Sequence, residues 1–242
     1  MSLLEKTILI TGAARRIGRH LAVSLAQAGA NIILHYGGSV EEANQTAAEI
    51  RSMGRKAWLI QSDLEDTSTV QDLMAGAFQN DPNLYAMINN AAIFEPLTFQ
   101  KTDLKAWQRH MDINLTTPFL LSQAFAKLLP PGSTGRIINL LDWRSLRPGS
   151  DHFPYTISKA ALAALTQSMA IALAPRITVN GIAFGAILPP SDGGNTNPIL
   201  QSVPAQRWAS LDEVTQTTLF LLDGPTYITG EIIHLDGGRH LV

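Results

Sequence analysis

Short apolar runs alternate along this chain with longer stretches in which apolar residues recur at helical spacing. The short runs, rich in β-branched and aliphatic residues, cover 7–10, 32–35, 57–60, 86–88, 136–140, 177–179 and 231–235, and the clearest helical stretches are 16–27, 40–53 and 155–174. Strands that alternate with helices are joined by crossover connections, which make successive strands parallel and place helices over the sheet. The pattern therefore predicts an α/β fold built on a mostly parallel sheet.

We expect one domain to hold the whole chain. Its 242 residues are within the range that a single α/β sheet serves, and no internal repeat, low-complexity tract or linker interrupts them. The stretch 188–198 is rich in Pro and Gly but too short to separate two domains. We predict a single domain over 1–242, with a lid loop around 188–206 that covers a pocket.

Charge and cysteine content exclude several classes of function. The formal net charge is −2 and the Lys and Arg residues are scattered, so we expect neither nucleic acid nor a membrane surface as a partner. The chain has no cysteine, which excludes disulfides and thiolate metal sites, and we expect no metal cofactor. No segment approaches about 18 uninterrupted apolar residues, and the first apolar run is too brief for a signal sequence, so we predict a cytoplasmic protein.

The first predicted strand runs into the segment 11–18, TGAARRIG, after which the pattern becomes helical. A tight turn before a helix presents free backbone N–H groups and the positive end of the helix dipole, and small residues let a pyrophosphate approach the backbone. Gly12 and Gly18 do not reproduce the G-x-G-x-x-G spacing, so an ordinary helix cap and turn is the alternative interpretation.

The charges around this turn indicate which dinucleotide it would hold. No Asp or Glu occurs in 35–39, after the second strand, where an acid would bind the adenosine ribose of NAD. Arg15 and Arg16 instead offer guanidinium groups suited to bidentate phosphate binding. The alternative, that both are solvated helix-start residues, is disfavoured because positive charge opposes the helix dipole there. The pattern points to NADPH.

Tyr155 and Lys159 stand four residues apart in an Ala-rich helical stretch, so their side chains share one helix face. A phenol with a pKa of about 10 is a poor acid–base catalyst at neutral pH, and a nearby ammonium would stabilise the phenolate. Asp142 ends an apolar strand thirteen residues before Tyr155, where parallel sheets place their ligands. Two alternatives are open: the Tyr-x-x-x-Lys spacing also occurs in helices by chance, and Asp142 also suits a turn.

Taken together, several motifs resemble the short-chain dehydrogenase/reductase family. They are the 11–18 turn, the Asn89-Asn90-Ala91-Ala92 run, Asn114, the Tyr155 and Lys159 pair and the closing Leu235-Asp236-Gly237-Gly238, in the order of the family and over essentially the whole chain. The resemblance implies a single-domain, doubly wound parallel sheet of the Rossmann type in three layers. It also implies an NADP(H)-dependent oxidoreductase that assembles as a homotetramer.

The resemblance further implies a role for each matching residue. Tyr155 would give the proton, Lys159 would hold the nicotinamide ribose and lower the pKa of the tyrosine, and Asn114 would anchor a water linked to Lys159. The implied cofactor-binding residues are Gly12, Arg15, Arg16, Ile17, Gly18, His35, Tyr36, Asp63 (toward the adenine), Leu64, Asn90 (along the groove), Ala91, Tyr155, Lys159 and Gly185. Simpler alternatives are that Asn114 bends its helix and that Asn89 bridges two strands.

Departures from the general pattern resemble the branch of pteridine reductases and dihydromonapterin (dihydrofolate) reductases. Arg16 stands in place of the middle glycine, and Asp142 in place of the catalytic serine. Phe94 stands where that branch places an aromatic ring that stacks on the pterin, and a buried core phenylalanine is the alternative. A third departure is Phe-Gly instead of Pro-Gly at 184–185, beside the nicotinamide site. The implied substrate-binding residues are Arg16, Phe94, Asp142 and Tyr155.

The expected activity is reduction of a pterin-like C=N bond with NADPH. The expected partner of the protein is therefore a small-molecule substrate. Tyr155 and Asp142 would manage the proton, and Phe94 would hold the pterin against the hydride donor. A rival among enzymes is a carbonyl or 3-oxoacyl thioester reductase, which usually needs a neutral hydroxyl where an ionised Asp142 would repel the developing oxyanion. A rival outside enzymes is a non-catalytic NADP(H)-binding regulator, against which the intact Tyr155 and Lys159 pair counts.

Overall fold

The strands form one parallel sheet in a computed structural model that describes residues 3–189 and 197–242. Within these ranges the strands are β1 (Thr7–Ile10), β2 (Asn31–Tyr36), β3 (Ala57–Gln61), β4 (Leu84–Asn89), β5 (Gly135–Asp142), β6 (Ile177–Phe184) and β7 (Ile232–Leu235). Their order across the sheet is β3-β2-β1-β4-β5-β6-β7, and every neighbouring pair is parallel. The predicted doubly wound Rossmann-type α/β fold is confirmed.

Helices cover both faces of this sheet. Those in the described ranges are α1 (Arg16–Gln27), α2 (Val40–Ser52), α3 (Val70–Asn80), α4 (Leu104–Met111), α5 (Thr117–Leu128), α6 (Phe153–Leu173), α7 (Asn197–Gln201) and α8 (Leu211–Asp223). On one face α1 contacts α2 and α8, and on the other α3 contacts α5 while α4 contacts α6. The result is the expected three layers.

The residues of β1 show why the apolar runs are continuous. Ile8 and Ile10 belong to the core beneath α1, α2 and α8, whereas Leu9 belongs to the core beneath α3, α5 and α6. Successive side chains of a strand point to opposite faces, so a strand covered on both sides needs apolar residues at every position.

The order of the strands creates a crevice at one edge of the sheet. From β1 the chain continues to β2 and β3 on one side and then returns to β4 and β5 on the other. Open α/β sheets bind ligands at such a switch point, beyond the carboxyl ends of the strands. The ends of β1 and β4 bring Gly12 and Asn90 to this edge, and β5 brings Asp142.

The helix that carries Tyr155 and Lys159 is a core helix. α6, with 21 residues, is long and apolar enough to cross a membrane by length and composition alone. It packs against β5 and β6, and Tyr155 and Lys159 are buried on it. These contacts account for its apolar character.

The predicted lid loop around 188–206 falls partly on residues 190–196, which lie outside the described ranges. The later part of the loop packs against the turn after β7, because the N–H of Ala205 donates to the Gly237 carbonyl oxygen at 3.0 Å and Val203 is buried. The lid and the single-domain boundary at 1–242 stay predictions.

Candidate active site

Close packing of the backbone fixes the two glycines in the turn after β1. A Cβ on Gly18 would lie 2.2 Å from the carbonyl oxygen of Gly12 and 2.6 Å from Nδ2 of Asn90, so no side chain fits there. Gly12 has a φ of 63°, in the left-handed region that glycine enters without steric cost. Both glycines are therefore required for β1, the turn and α1 to meet as they do.

Asn90 and Thr11 join this turn to the end of β4. Nδ2 of Asn90 donates to the carbonyl oxygens of Thr11 at 2.7 Å and of Gly12 at 3.0 Å. Oγ1 of Thr11 accepts the main-chain N–H groups of Asn90 and Ala91, both at 3.0 Å. These reciprocal bonds brace the crevice. Thr11 is absent from the predicted site residues. A hydroxyl residue directly after β1 is the feature of the sequence that could have indicated its role in the turn.

The first turn of α1 is suited to an anion. It has no acidic residue and no side-chain cap, so its N–H groups are not engaged by a side chain. Arg15 precedes the helix with 66% of its side chain exposed, and its guanidinium lies 3.8 Å from Glu42. Arg16 has a φ of 52°, and its Nη2 donates to the carbonyl oxygen of Pro189 at 3.3 Å. Ile17 packs against the core beneath α1.

His35 and Tyr36 support the turn from below. Nδ1 of His35 accepts the N–H of Gly12 at 3.2 Å, so Nε2 carries the proton that is donated to the Ser62 carbonyl oxygen at 3.1 Å. Burial lowers the pKa of His35 to about 4, which keeps the ring neutral at physiological pH. Tyr36 is buried in a small cluster with Ala14. Direct contact of either side chain with a cofactor remains a prediction.

Asp63 and Leu64 follow β3 on the same edge of the sheet. Asp63 is exposed, and its Oδ1 accepts the N–H of Glu65 at 3.0 Å. Leu64 is buried, and its carbonyl oxygen accepts the hydroxyl of Thr117 at 3.0 Å. The exposed carboxyl is free to meet a ligand, whereas Leu64 is anchored to α5.

A hydrogen bond joins the predicted catalytic pair Tyr155 and Asp142. Oη of Tyr155 lies 3.2 Å from Oδ2 of Asp142, and the phenol is buried. Burial first, and then the charge and hydrogen bond of Asp142, raise the pKa of Tyr155 well above its ordinary value. The raised pKa keeps Tyr155 a protonated phenol at neutral pH, not the phenolate that a nearby ammonium would stabilise, and its role as the proton donor remains a prediction.

Asp142 also begins the short 3-10 helix Trp143–Ser145. Its Oδ1 accepts the N–H of Arg144 at 2.9 Å, and its own N–H donates to Oγ of Ser145 at 3.2 Å. The Arg144 guanidinium lies 3.5 Å from Oδ1 of Asp142 and 2.7 Å from Oδ2 of Asp151. The turn-forming role and the contact with Tyr155 thus coexist. Arg144 is absent from the predicted site residues. Its position, two residues after Asp142, is the feature of the sequence that could have indicated this contact.

Lys159 lies one helical turn after Tyr155 and is buried. Its Nζ donates to the carbonyl oxygen of Leu140 at 2.6 Å and lies 5.9 Å from the centroid of the Tyr155 ring. Burial lowers the pKa of Lys159 to about 8, against the opposing attraction of Asp142. The resemblance implies that Lys159 lowers the pKa of Tyr155, whereas in this structure that pKa is raised, first by burial and then by Asp142.

Asn114 lies in the π-helical turn Asp112–Thr116, between α4 and α5. Its Nδ2 donates to Oγ of Ser158 at 3.0 Å and to the carbonyl oxygen of Ile93 at 3.1 Å. The irregular helix agrees with the alternative that this residue marks a bend. Asn114 reaches the residue beside Lys159 without contacting the ammonium, so the linking water remains a prediction.

Two further motif residues have packing roles. A Cβ on Gly185 would lie 2.6 Å from Cα of Asp236, so glycine lets the end of β6 pass the turn after β7. Nδ2 of Asn89 donates to Oδ1 of Asn139 at 2.8 Å, which bridges β4 and β5. A cofactor contact for Gly185 remains a prediction.

Phe94 borders Tyr155 at the surface of the crevice. It is 52% exposed, so the alternative of a buried core phenylalanine is wrong. Its ring meets Tyr155 edge to face with centroids 4.6 Å apart, and it stacks on the ring of His152 at 3.8 Å with an angle of 8°. The exposed remainder of the ring offers an apolar contact to a planar ligand beside the phenol.

Comparison with known proteins places this geometry in a family. Residues 6–197 match the model of the short-chain dehydrogenase family. The chain belongs to this family. The predicted family is therefore confirmed, and the hydrogen-bonded Tyr155 and Asp142 lie in a short-chain dehydrogenase fold.

Proteins similar to this short-chain dehydrogenase are named for different activities or properties. FolM alternative dihydrofolate reductase 1 from Brucella canis, solved in complex with NADP, is 35% identical with a TM-score of 0.92, covering 100% of this chain and 97% of that one. A blue fluorescent protein from a metagenomic library, solved with NADPH, is 30% identical with a TM-score of 0.92, covering 99% of each chain. A 3-oxoacyl-[acyl-carrier-protein] reductase from Synechocystis sp. is 32% identical over 98% of each chain.

Proposed function

We propose that this short-chain dehydrogenase is an NADPH-dependent reductase of a pterin-like C=N bond. The observation that carries the proposal is the hydrogen bond from Tyr155 to Asp142, which pairs a neutral phenol with a carboxyl group where the general family pattern has serine. The similarity to the FolM protein supports the same substrate class.

The residues at the switch point fit a dinucleotide phosphate. The uncapped first turn of α1, and the glycines that allow no side chain between β1 and α1, leave room and N–H donors for a pyrophosphate. Arg15 is mostly exposed and would meet the 2′-phosphate, and no acid stands in 35–39 to repel that phosphate. Two solved neighbours contain NADP or NADPH, in agreement with the predicted cofactor.

The cofactor supplies the hydride when it is bound. Tyr155 gives its proton to the nitrogen of the C=N bond as the carbon is reduced. Asp142 then relays a proton from solvent to the phenolate that is left, because its Oδ2 faces the phenol while its side chain is 15% exposed. Lys159 offers its ammonium to the ribose hydroxyls, and Phe94 holds the pterin ring beside the phenol.

Asp142 is the reason for preferring a C=N bond to a ketone. A ketone develops negative charge on oxygen during reduction, and a carboxylate beside it would raise the barrier. A pterin instead presents N–H groups, which a carboxylate accepts as hydrogen bonds. Both oxygens of Asp142 accept hydrogen bonds, Oδ1 from the N–H of Arg144 and Oδ2 from the phenol of Tyr155.

The alternative is a reductase of carbonyl or 3-oxoacyl thioester substrates. It is favoured by the similarity to the Synechocystis reductase, which covers 98% of each chain. A non-catalytic NADP(H)-binding regulator is the third possibility. A regulator would not need a buried phenol that can donate a proton, and this counts against it.

The test is NADPH oxidation by the purified protein with a panel of dihydropterins, dihydrofolate, biopterin, a quinone and an acetoacetyl thioester. We expect turnover with at least one dihydropterin and a much lower kcat/KM with the thioester. Preference for the thioester would support the alternative. Inertness toward the whole panel, with NADPH bound, would support the regulator.

We also propose a cytoplasmic homotetramer, on the family resemblance. Light scattering of the purified protein at several concentrations tests the assembly, and a dimer or monomer throughout would contradict it.

A further inference from the structure

The last turn of the chain holds an arginine in a fixed position. Arg239 begins the 3-10 helix Arg239–Leu241, directly after the turn that follows β7. Asp236, 4% exposed, accepts the N–H of Gly238 at 2.9 Å and both the N–H and Nδ1–H of His240 at 2.8 Å. A buried carboxylate therefore holds the backbone on both sides of Arg239.

The guanidinium of Arg239 lies over the indole of Trp143, next to the catalytic pair. Its Cζ is 4.4 Å from the ring centroid, and Arg144 contacts the same ring at 4.8 Å. Because Trp143 directly follows Asp142, this stacking places a positive charge beside the proposed proton-transfer site.

Arg239 differs from the other arginines that the structure describes as buried or partly buried. Those others all donate hydrogen bonds, and they are Arg55, Arg109, Arg136 and Arg144. Among the described residues, the guanidinium of Arg239 has neither a hydrogen-bond acceptor nor an ion-pair partner within reach. Burial, and then the like charge of Arg144, lower its pKa against the attraction of Asp142, Asp151 and Asp236. An additional anion would relieve both effects.

The nearby carboxylates do not fill this role. Asp142 accepts Tyr155 and Arg144, and Asp151 lies 2.7 Å from Arg144. Nη2 of Arg144 donates to Oδ2 of Asp151 at 2.7 Å, and this hydrogen bond is the main reason that the pKa of Asp151 is lowered to about 2. The carboxylate of Asp151 is therefore already paired with Arg144. Among the described residues, the guanidinium of Arg239 is thus without a partner beside carboxylates that are already paired.

Its place in the sheet separates Arg239 from the cofactor phosphates. The phosphate-binding turn follows β1, whereas Arg239 follows β7 and rests on the loop after β5, at the opposite side of the sheet order. An anion at Arg239 would therefore belong to the substrate, on a part of it other than the ring that Tyr155 protonates.

We propose that Arg239 binds a carboxylate on the side chain of the substrate, and that this dehydrogenase therefore prefers pterins with an acidic, folate-type tail. The planar guanidinium has five donors and matches a carboxylate in bidentate geometry. The inference rests on the proposed reduction of pterins. A phosphate-bearing thioester carries an anion too, and the experiment separates the two sources.

The test compares wild type, R239Q and R239K with 7,8-dihydrofolate, whose tail has carboxylates, and 7,8-dihydrobiopterin, whose tail is uncharged. We expect the ratio of kcat/KM for dihydrofolate to that for dihydrobiopterin to fall at least tenfold in R239Q, through KM, and to recover partly in R239K. R55Q removes a guanidinium that pairs with Glu5 instead, and it should leave the ratio unchanged. An unchanged ratio in R239Q would overturn the proposal.

A binding arm keeps this inference separate from the proposed function. Folate, biopterin and acetoacetyl-coenzyme A are titrated calorimetrically into wild type and R239Q with NADP⁺ present. Weaker binding of folate alone in R239Q supports the carboxylate site, even if neither dihydropterin is turned over and the proposed activity fails. Weaker binding of the coenzyme A thioester alone assigns the anion to a phosphate and overturns the folate-type tail.

Discussion

The phenol of Tyr155 on α6 and the carboxyl group of Asp142 at the end of β5 form a hydrogen bond of 3.2 Å. The bond couples a buried proton to a side chain that reaches solvent. It also places a carboxyl group where a carbonyl oxygen would otherwise be held. The first two predictions follow from these consequences.

Replacement of Tyr155 by phenylalanine removes the proton donor and keeps the ring. We expect kcat to fall by about 10²-fold or more, with the Kd for NADPH little changed, because positioned proton transfer contributes about 10²–10⁴-fold. Steady-state kinetics and NADPH fluorescence measure the two effects. Y85F is the matched control, since Tyr85 donates its hydroxyl to Leu222 on another part of the sheet. Near-normal turnover in Y155F would move the chemistry elsewhere.

Replacement of Asp142 by serine should reverse the preference between substrates. We expect activity on dihydropterins to fall at least about tenfold, near 1.4 kcal/mol of transition-state stabilisation, while activity on a simple activated ketone is unchanged or rises. A serine hydroxyl can donate to an oxyanion, which a carboxylate cannot. The ratio of the two kcat/KM values is the measurement. Loss of ketone activity with pterin activity retained would contradict the proposed role.

Reversal of the charge at Arg15 should weaken the preference for NADPH. The 2′-phosphate carries nearly two negative charges, and each charge-assisted bond contributes about 1.5–3 kcal/mol. We therefore expect R15E to lower the ratio of kcat/KM for NADPH to that for NADH by about tenfold or more. R19E makes the same charge change on α1 at an arginine paired with Glu49, and should leave the ratio nearly unchanged. Equal ratios in wild type and R15E would refute the assignment.

A methyl group at Gly18 should disrupt the turn, because its carbon would lie 2.2 Å from the backbone of Gly12. We expect G18A to lose about 2 kcal/mol or more of the free energy of unfolding and to bind NADPH poorly. G76A is the matched control in α3, where the nearest atom would be 3.7 Å away and alanine should stabilise the helix by about 0.5–1 kcal/mol. Urea unfolding and NADPH titration of both variants measure this, and equal stabilities would contradict the packing argument.

The neutral His35 predicts how stability depends on pH. Its folded pKa of about 4 lies below the ordinary value of 6.5, so between these values the unfolded chain binds a proton that the folded chain does not. The free energy of unfolding therefore decreases as pH falls from about 6.5 to about 4, by about 3 kcal/mol from this group. H35Q keeps an acceptor for Gly12 and a donor for Ser62 without titrating. Denaturant unfolding of both proteins across this range should give a shallower dependence in H35Q, and parallel curves would rule the mechanism out.

Local spacing predicted the strands, the helices near 16–27, 40–53 and 155–174, and the glycine turn, but it did not single out α3, α4, α5, α7 or α8. The apolar runs predict the strands because every residue of a doubly covered strand faces a core, as Ile8, Leu9 and Ile10 do. The spacing of Tyr155 and Lys159 predicts that they lie on one face of a helix, and both are buried on α6. The absence of acids in 35–39 is likewise read directly from the chain.

The electrostatics of the site was decided by the tertiary structure. Nothing in the sequence states whether the phenol of Tyr155 meets Lys159, four residues away, or Asp142, thirteen residues away. The packing of α6 on β5 directs the Lys159 ammonium to the Leu140 carbonyl oxygen and the phenol to Asp142. The pKa of Tyr155 therefore rises, opposite to the direction that the spacing alone suggests.

The sequence by itself determined the α/β fold and the glycine turn after β1, because each depends on periodicity or on neighbours a few positions apart. Only the tertiary structure decided which charges meet. Arg239 reaches Trp143 from the far end of the chain because β5, β6 and β7 are adjacent in the sheet and their carboxyl ends share one edge. Contacts of this kind depend on strand order and side-chain direction, which hydrophobic periodicity does not specify.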